Sequence, residues 1–303
     1  MHIPVFKNRI AELLNLSKDA VVVDATLGAG GHSFEIWEQM ISGKLVSFDV
    51  DKHAIERLVA LDSGWQEFTA GVWALHEGTK TWYLANANFK NIATILRSLA
   101  IHKVDVVLAD LGWSTDQLGA IAGLSYSKDL DAQLDMRFSP ELQVTAADLL
   151  NNLSRDQLKT LFEGNADIYG KQCFWLIEKI VQGRPLSKVS DLLKILEDAD
   201  KSGIENLVPR VFQALRIAVN SELSTLQSFL SEIPRYLGRG GRLMVITFHS
   251  GEEKVVERLA AEWQKQGVIA KNQQASYLRP TVDELKENIS ARSAKLYIYE
   301  FLR

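Results

Sequence analysis

Asp24-Ala25-Thr26-Leu27-Gly28-Ala29-Gly30-Gly31-His32-Ser33 follows the apolar run Ala20-Val21-Val22-Val23 and precedes helical periodicity from Ser33 to Ile41. This order reads as a buried strand opening through a glycine turn into a helix. Glycines at 28, 30 and 31 let the backbone approach a bound molecule without interference from Cβ, and the unpaired N–H groups of the next helix attract an anion or carboxylate. Lys44 to Asp49 reads as the following strand and delivers Asp49, 21 residues after Gly28, to its carboxyl end. An acid there accepts hydrogen bonds from ribose hydroxyls. Together the two signals point to a nucleoside cofactor, against the plainer alternative of a tight turn with no ligand.

Glycine spacing narrows the cofactor. The dinucleotide fingerprint G-x-G-x-x-G puts its third glycine at position 33, which is Ser33, and no G-x-x-x-x-G-K-[ST] phosphate cradle occurs in the chain. S-adenosylmethionine fits what remains, its methionine carboxylate near the loop and helix start and its ribose against Asp49.

Working outward, strand patterns at about 21–25, 44–49, 81–85 and 104–110 alternate with helical ones such as Ala54 to Leu61, which implies a parallel, doubly wound α/β sheet. Ser63 to Lys80, with Trp65, Trp73 and His76, fits neither pattern and reads as a long excursion before the third strand. From about Gly119 to Asn206 no strand pattern appears. Helix-like segments do, at Thr145 to Asn151, Ser154 to Glu163, Lys171 to Gly183 and Ser187 to Asp200. Sheet character returns at Arg242 to Phe248 and at Ala294 to Tyr299, the latter alternating as an edge or antiparallel strand would. The expected organisation is a cofactor domain in two parts, 1–118 and 207–303, around an inserted helical domain, 119–206.

At 303 residues and 47% hydrophobic content the chain can bury a full core. No apolar run reaches the roughly 18 residues of a membrane span, and Met1 to Lys7 lacks the apolar core of a signal peptide, so a cytoplasmic protein is expected. The single cysteine, Cys173, excludes a disulfide framework and a multi-cysteine zinc site and reads as a packed thiol; no metal is expected. The net charge of -4 hides an asymmetry: Pro234 to Arg303 holds 12 Lys and Arg against 8 Asp and Glu. That end can face a phosphate backbone or simply be solvated.

The third strand leads into Asn86-Ala87-Asn88-Phe89, where a polar residue and a ring can read adenine, or where Phe89 is ordinary core. The fourth ends in Asp110-Leu111-Gly112-Trp113-Ser114, and ligands of open α/β sheets bind at such strand ends. A pyrimidine's exocyclic amine is a poor nucleophile because its lone pair is delocalised, so an enzyme must hold its hydrogens and align it with the methyl donor. Asp110, the carbonyls of Leu111 and Gly112, and Trp113 as a stacking ring are spaced for that task; a turn cap and a core indole are the competing readings. His249 is open between an orienting or phosphate-contacting role and a core or capping one; Arg137 invites a phosphate contact, and Arg216 is open between such a contact and a structural ion pair.

The chain resembles the bacterial small-subunit (16S) ribosomal RNA cytosine-N4 methyltransferase family nearly end to end. The resemblance rests on His2-Ile3-Pro4-Val5, on Asp24 to Ser33, on Asp49 and Asp51 in FDVD, and on Asn88-Phe89. It continues through Ala109 to Leu118, Leu134-Asp135-Met136-Arg137, Phe212 to Leu223, Gly240 to Ser250 and Arg292 to Leu296. It implies a Rossmann-like class I methyltransferase with an inserted all-helical, RNA-contacting domain, acting with S-adenosyl-L-methionine on the N4 amine of a decoding-region cytidine in 16S rRNA, with the small ribosomal subunit as partner. Carried over by motif, Gly30, Gly31 and His32 hold the methionine part and Asp49 the ribose. Phe89 contacts adenine, and Asp110 and Gln117 complete the pocket. The chain departs from the family at Trp113, where a small aliphatic residue is usual, and at Gly251-Glu252-Glu253, where Leu-Glu-Asp is typical. The helix around Tyr169 to Val181 also lacks most of the expected arginines. Two other functions stay open: methylation of another nucleic-acid or small-molecule amine, and a non-catalytic RNA-binding relative.

Overall fold

The computed structural model describes residues 4–7, 9–112, 122–126, 129–139, 141–201, 207–270 and 277–303. It divides into two compact units: one formed by Met1–Gly112 with Thr225–Arg303, the other by Trp113–Ser224.

The first unit is built on a nine-stranded sheet. Its strands are β1 (Val21–Asp24), β2 (Gly43–Asp49), β3 (Gln66–Thr69), β4 (Val72–Glu77), β5 (Lys80–Asn86), β6 (Val104–Asp110), β7 (Leu237–Thr247), β8 (Tyr277–Leu278) and β9 (Lys295–Glu300), in the spatial order β3-β4-β5-β2-β1-β6-β7-β9-β8. Strands β5, β2, β1, β6 and β7 are parallel, whereas β9 runs antiparallel to β7. The chain moves outward from β1 through β2 to β5 and then returns to β6 on the other side of β1. The strand ends at β1, β2 and β6 therefore flank the switch point where ligands of such sheets bind.

Successive strand residues enter opposite cores. Val23 and Val107 pack on one face with helices α4 (Ile92–Ser98), α10 (Glu222–Glu232) and α11 (Ser250–Lys265), while Val22 and Leu108 pack on the other with α1 (Arg9–Leu14), α2 (Gly31–Gln39) and α3 (Lys52–Val59). A sheet covered on both faces explains why β1 and β6 read as continuous apolar runs. The 63–80 stretch, expected as an excursion, is instead an edge hairpin: β3 pairs with β4, and β4 with β5 through the turn at Gly78-Thr79. All four residues of β3 are exposed, which is why it carries little apolar signal.

In the second unit, α5 (Ala146–Asn152), α6 (Arg155–Ala166), α7 (Gly170–Gly183), α8 (Val189–Lys201) and α9 (Leu207–Asn220) share one apolar core that includes the buried Cys173. Two capping boxes, Thr145 with Asp148 and Ser154 with Gln157, start α5 and α6. The boundaries expected at 119 and 206 are corrected to 113 and 224. The reason is α9, whose Leu207, Val211, Leu215 and Val219 are spaced along one helix face and buried in this core.

Candidate active site

The turn after β1 is clamped between its neighbours. Ala25 N–H donates to the Leu108 carbonyl of β6 and Leu27 N–H to the Phe48 carbonyl of β2, both at 2.8 Å. Gly30 has φ +85°, and a Cβ there would stand 2.9 Å from the Phe34 ring, so glycine is required. A Cβ on Gly28 would meet nothing within 4 Å, which leaves that side of the loop open for a ligand. Asp49 reaches the loop from the end of β2 and accepts from Gly28 N–H and Asp51 N–H, each at 2.8 Å. Burial raises its pKa to about 6 against the lowering effect of those two hydrogen bonds. Asp51 then caps α3 through His53 N–H at 2.9 Å.

His32, in the first turn of α2, is buried, and its Nε2 stands 3.5 Å from Oδ2 of Asp110 at the end of β6. Burial pushes this imidazole down, but the facing Asp110 carboxylate, helped by Asp24 and Glu35, more than offsets it and the net direction is up. Neither ring nitrogen of His32 has a hydrogen-bond partner, nor has Oδ1 of Asp110, and all three atoms are buried. Unsatisfied buried groups are costly, so three of them at the switch point fit a ligand carrying both donors and acceptors, as the methionine part of S-adenosylmethionine does. Beneath them lies a residue that the sequence analysis passed over. Asp24, fully buried, accepts from Ser33 Oγ at 2.6 Å and from Thr26 N–H at 3.0 Å. Burial raises its pKa, opposed by those bonds and by His32. Its signal was its place at the end of an apolar strand, directly before the glycine turn.

Phe89 is half-buried, packs on the sheet core and meets Phe229 edge to face at 5.0 Å. The nearby amides have local duties: Asn86 Nδ2 donates to the Asp49 carbonyl at 3.1 Å, and Asn88 Oδ1 accepts from Lys90 N–H at 3.0 Å. His249 takes the capping role, its Nδ1 accepting from Glu252 N–H at 3.4 Å in a capping box at the start of α11. The departure at 251–253 keeps its acids at work, since Glu252 accepts from Phe248 N–H at 2.7 Å and Glu253 pairs with Lys295 at 2.6 Å. Trp113 and Gln117 lie outside the described residues.

In the helical unit, Arg137 grips Asp135 at 2.6 and 2.8 Å, and Arg216 grips Glu222 at 2.8 and 3.1 Å. The Asn220 amide bridges the Met136 carbonyl and Phe138 N–H, at 2.8 and 2.9 Å. The LDMR and FQALRIAVNSEL segments thus bind each other; the ion-pair reading of Arg216 holds, and Arg137, read as a phosphate contact, is instead engaged by Asp135. Among the described residues no helix is long and apolar enough to cross a membrane, and no three His, Cys, Asp or Glu gather as a metal site.

Five parallel strands in the order third, second, first, fourth, fifth, closed by a reversed strand, carry a nucleoside-type glycine turn in which a buried serine replaces the third glycine of dinucleotide-binding loops. That combination is the class I methyltransferase domain. Nearly the whole chain confirms it: residues 1–302 match the profile of the MraW methylase family, and the chain belongs to that family. It is 34% identical over 310 residues to the ribosomal RNA small subunit methyltransferase H of Dictyoglomus thermophilum, covering 99% of this chain and 96% of that protein. The proteins of the same name from Mycoplasmopsis agalactiae and Thermotoga neapolitana are each 33% identical, covering 98% and 99% of this chain and 97% and 96% of theirs.

Proposed function

We propose that this chain transfers a methyl group from S-adenosylmethionine to the exocyclic N4 amine of a cytidine in the decoding region of 16S rRNA, within the cytoplasm. The observation that carries the reading is Asp110: a half-buried carboxylate whose Oδ1 is buried without a partner, at the end of the fourth parallel strand, in a chain that matches relatives named for ribosomal RNA methylation over almost its full length.

In this reading Gly30, Gly31 and His32 hold the methionine part, Asp49 accepts from the ribose, and Phe89 lines the adenine. When bound, the donor supplies a methyl group on positively charged sulfur, which leaves as a neutral thioether. The chain's own residues supply alignment. Asp110 accepts a hydrogen bond from the N4 amine and turns its lone pair toward the methyl group, with Trp113 stacking on the base and Gln117 closing the pocket. The cytidine leaves its stack to reach this depth. Once methylated, the N4 nitrogen is strongly acidic and releases its proton to water, so no dedicated base is required. The helical unit contributes RNA contacts. Support lies along α7, where Tyr169 and Phe174 are 53% and 69% exposed on either side of Lys171, a pairing of rings and cation suited to unpaired bases.

The test is labelled-methyl transfer to small ribosomal subunits from cells lacking their own enzyme of this kind, followed by mass mapping of the modified nucleotide. Transfer to one cytidine, abolished by Asp110→Ala in a protein that still folds, is the expected result. Labelling of DNA or a small amine alone, or donor binding with no transfer to any nucleic acid, would overturn it.

A further inference from the structure

A line of buried hydrogen bonds runs under the glycine turn. Trp82 Nε1–H of β5 donates to Ser47 Oγ of β2 at 2.9 Å, Ser47 and Ser33 hydroxyls share a bond at 2.7 Å, and Ser33 Oγ donates to Asp24 Oδ2 at 2.6 Å. Its polarity follows from its two ends, since Ser33 has a single proton and gives it to Asp24. An indole nitrogen only donates, so Ser47 accepts from Trp82, its own proton goes to Ser33, and the proton of Ser33 goes to Asp24. The other oxygen of Asp24 accepts from Thr26 N–H. A carboxylate at the end of the line accepts from both the Ser33 hydroxyl and the Thr26 N–H.

Asp24 touches both halves of the site above it. Through Ser33 it fixes the first turn of α2, where the neighbouring residue is His32. Through Thr26, whose Oγ1 accepts from Asp110 N–H at 2.7 Å, it fixes the end of β6. The charged groups around the cluster are Asp110 from β6, Asp49 from β2 and Glu35 from α2.

We propose that Asp24 is a positioning residue for donor binding: a buried hub, joined to the Trp82–Ser47–Ser33 line, that sets His32 and Asp110 against each other. This rests on the reading of His32 and Asp110 as donor-binding residues. Asp24→Asn removes the charge and, in either amide orientation, opposes a donor to a donor or reverses the line. Thr26→Val keeps the charge and removes only the support under Asp110.

The first measurement is the His32 titration midpoint in ligand-free protein by NMR, assigned with His32→Gln. Asp24→Asn should lower the midpoint by about one pH unit, as expected for loss of an adjacent opposite charge, and Thr26→Val should leave it in place. The second is calorimetry with S-adenosylhomocysteine, where both variants should bind at least tenfold more weakly. An unchanged midpoint in a folded Asp24→Asn, or undiminished affinity in Thr26→Val, overturns the proposal; should Asp24→Asn fail to fold, Thr26→Val decides alone. If the unmodified chain binds no S-adenosylhomocysteine, the functional reading has failed instead, while the titration still tests the link between Asp24 and His32.

Discussion

Ser33 illustrates how much a single position conveys and conceals. In the sequence it excludes a dinucleotide loop by not being glycine; in the fold its hydroxyl is the link between Asp24 and Ser47, a role that needs partners from two separate strands. Asp49 was legible because an acid at that spacing has a local reason. The duties of Asn86 and Asn88 were not, because each bonds a backbone group that only the folded loop brings near. Asp49 also yields a pH signature of two signs. Its folded pKa of about 6 lies above the unfolded carboxylate value of about 3.9. Between those values the folded state binds the extra proton, so this group's contribution to the stability of ligand-free protein improves as pH falls through 6. Ribose recognition needs the ionised acid, so donor affinity should decline over the same interval. Melting curves with and without S-adenosylmethionine at pH 5 and pH 8 check both signs. At Gly30, the left-handed backbone and the Phe34 ring predict a loss of about 1–2 kcal/mol for Gly30→Ala, read by denaturant titration.

Among the elements, the five parallel strands were legible because burial on both faces writes a dense apolar segment into each. The β3–β4 hairpin was not, because an edge hairpin with one fully exposed strand has no such run. Its signal was the Gly78-Thr79 turn between Val72 to Glu77 and Lys80 to Asn86, which fits a two-residue hairpin loop. The helices of the second unit were legible through their periodicity and their caps. Ser154→Ala, removing one capping box, should cost about 1 kcal/mol in that unit and leave donor affinity unchanged. Arg216 and Glu222 are only 15% and 16% exposed and doubly bonded. Arg216→Met should therefore lower the melting temperature while leaving the salt dependence of RNA binding as it was. A reduced salt slope would return this arginine to the phosphate backbone.

At the scale of the molecule, the discontinuity of the cofactor domain was readable from where strand patterns stop and resume. The limits of the insertion were not. Periodicity tells that Leu207 to Asn220 is a helix without telling which core it joins, and its buried face belongs to the helical unit. The two units predict a calorimetric asymmetry. S-adenosylmethionine at a hundred times its dissociation constant should stabilise the unit that binds it by about 2.7 kcal/mol. If the donor sits at the ends of β1, β2 and β6, only the transition of the sheet-containing unit should rise.

Pro4 adds a practical corollary. Its ring stands 2.9 Å, at the nearest atom, from where a Cβ on Gly31 would be, so Pro4 forms a wall of the glycine turn. Replacing Pro4 with glycine would take that wall away while leaving the loop's own residues in place. Pro4→Gly should therefore hold the nucleoside less tightly, a loss that calorimetry with S-adenosylhomocysteine would read.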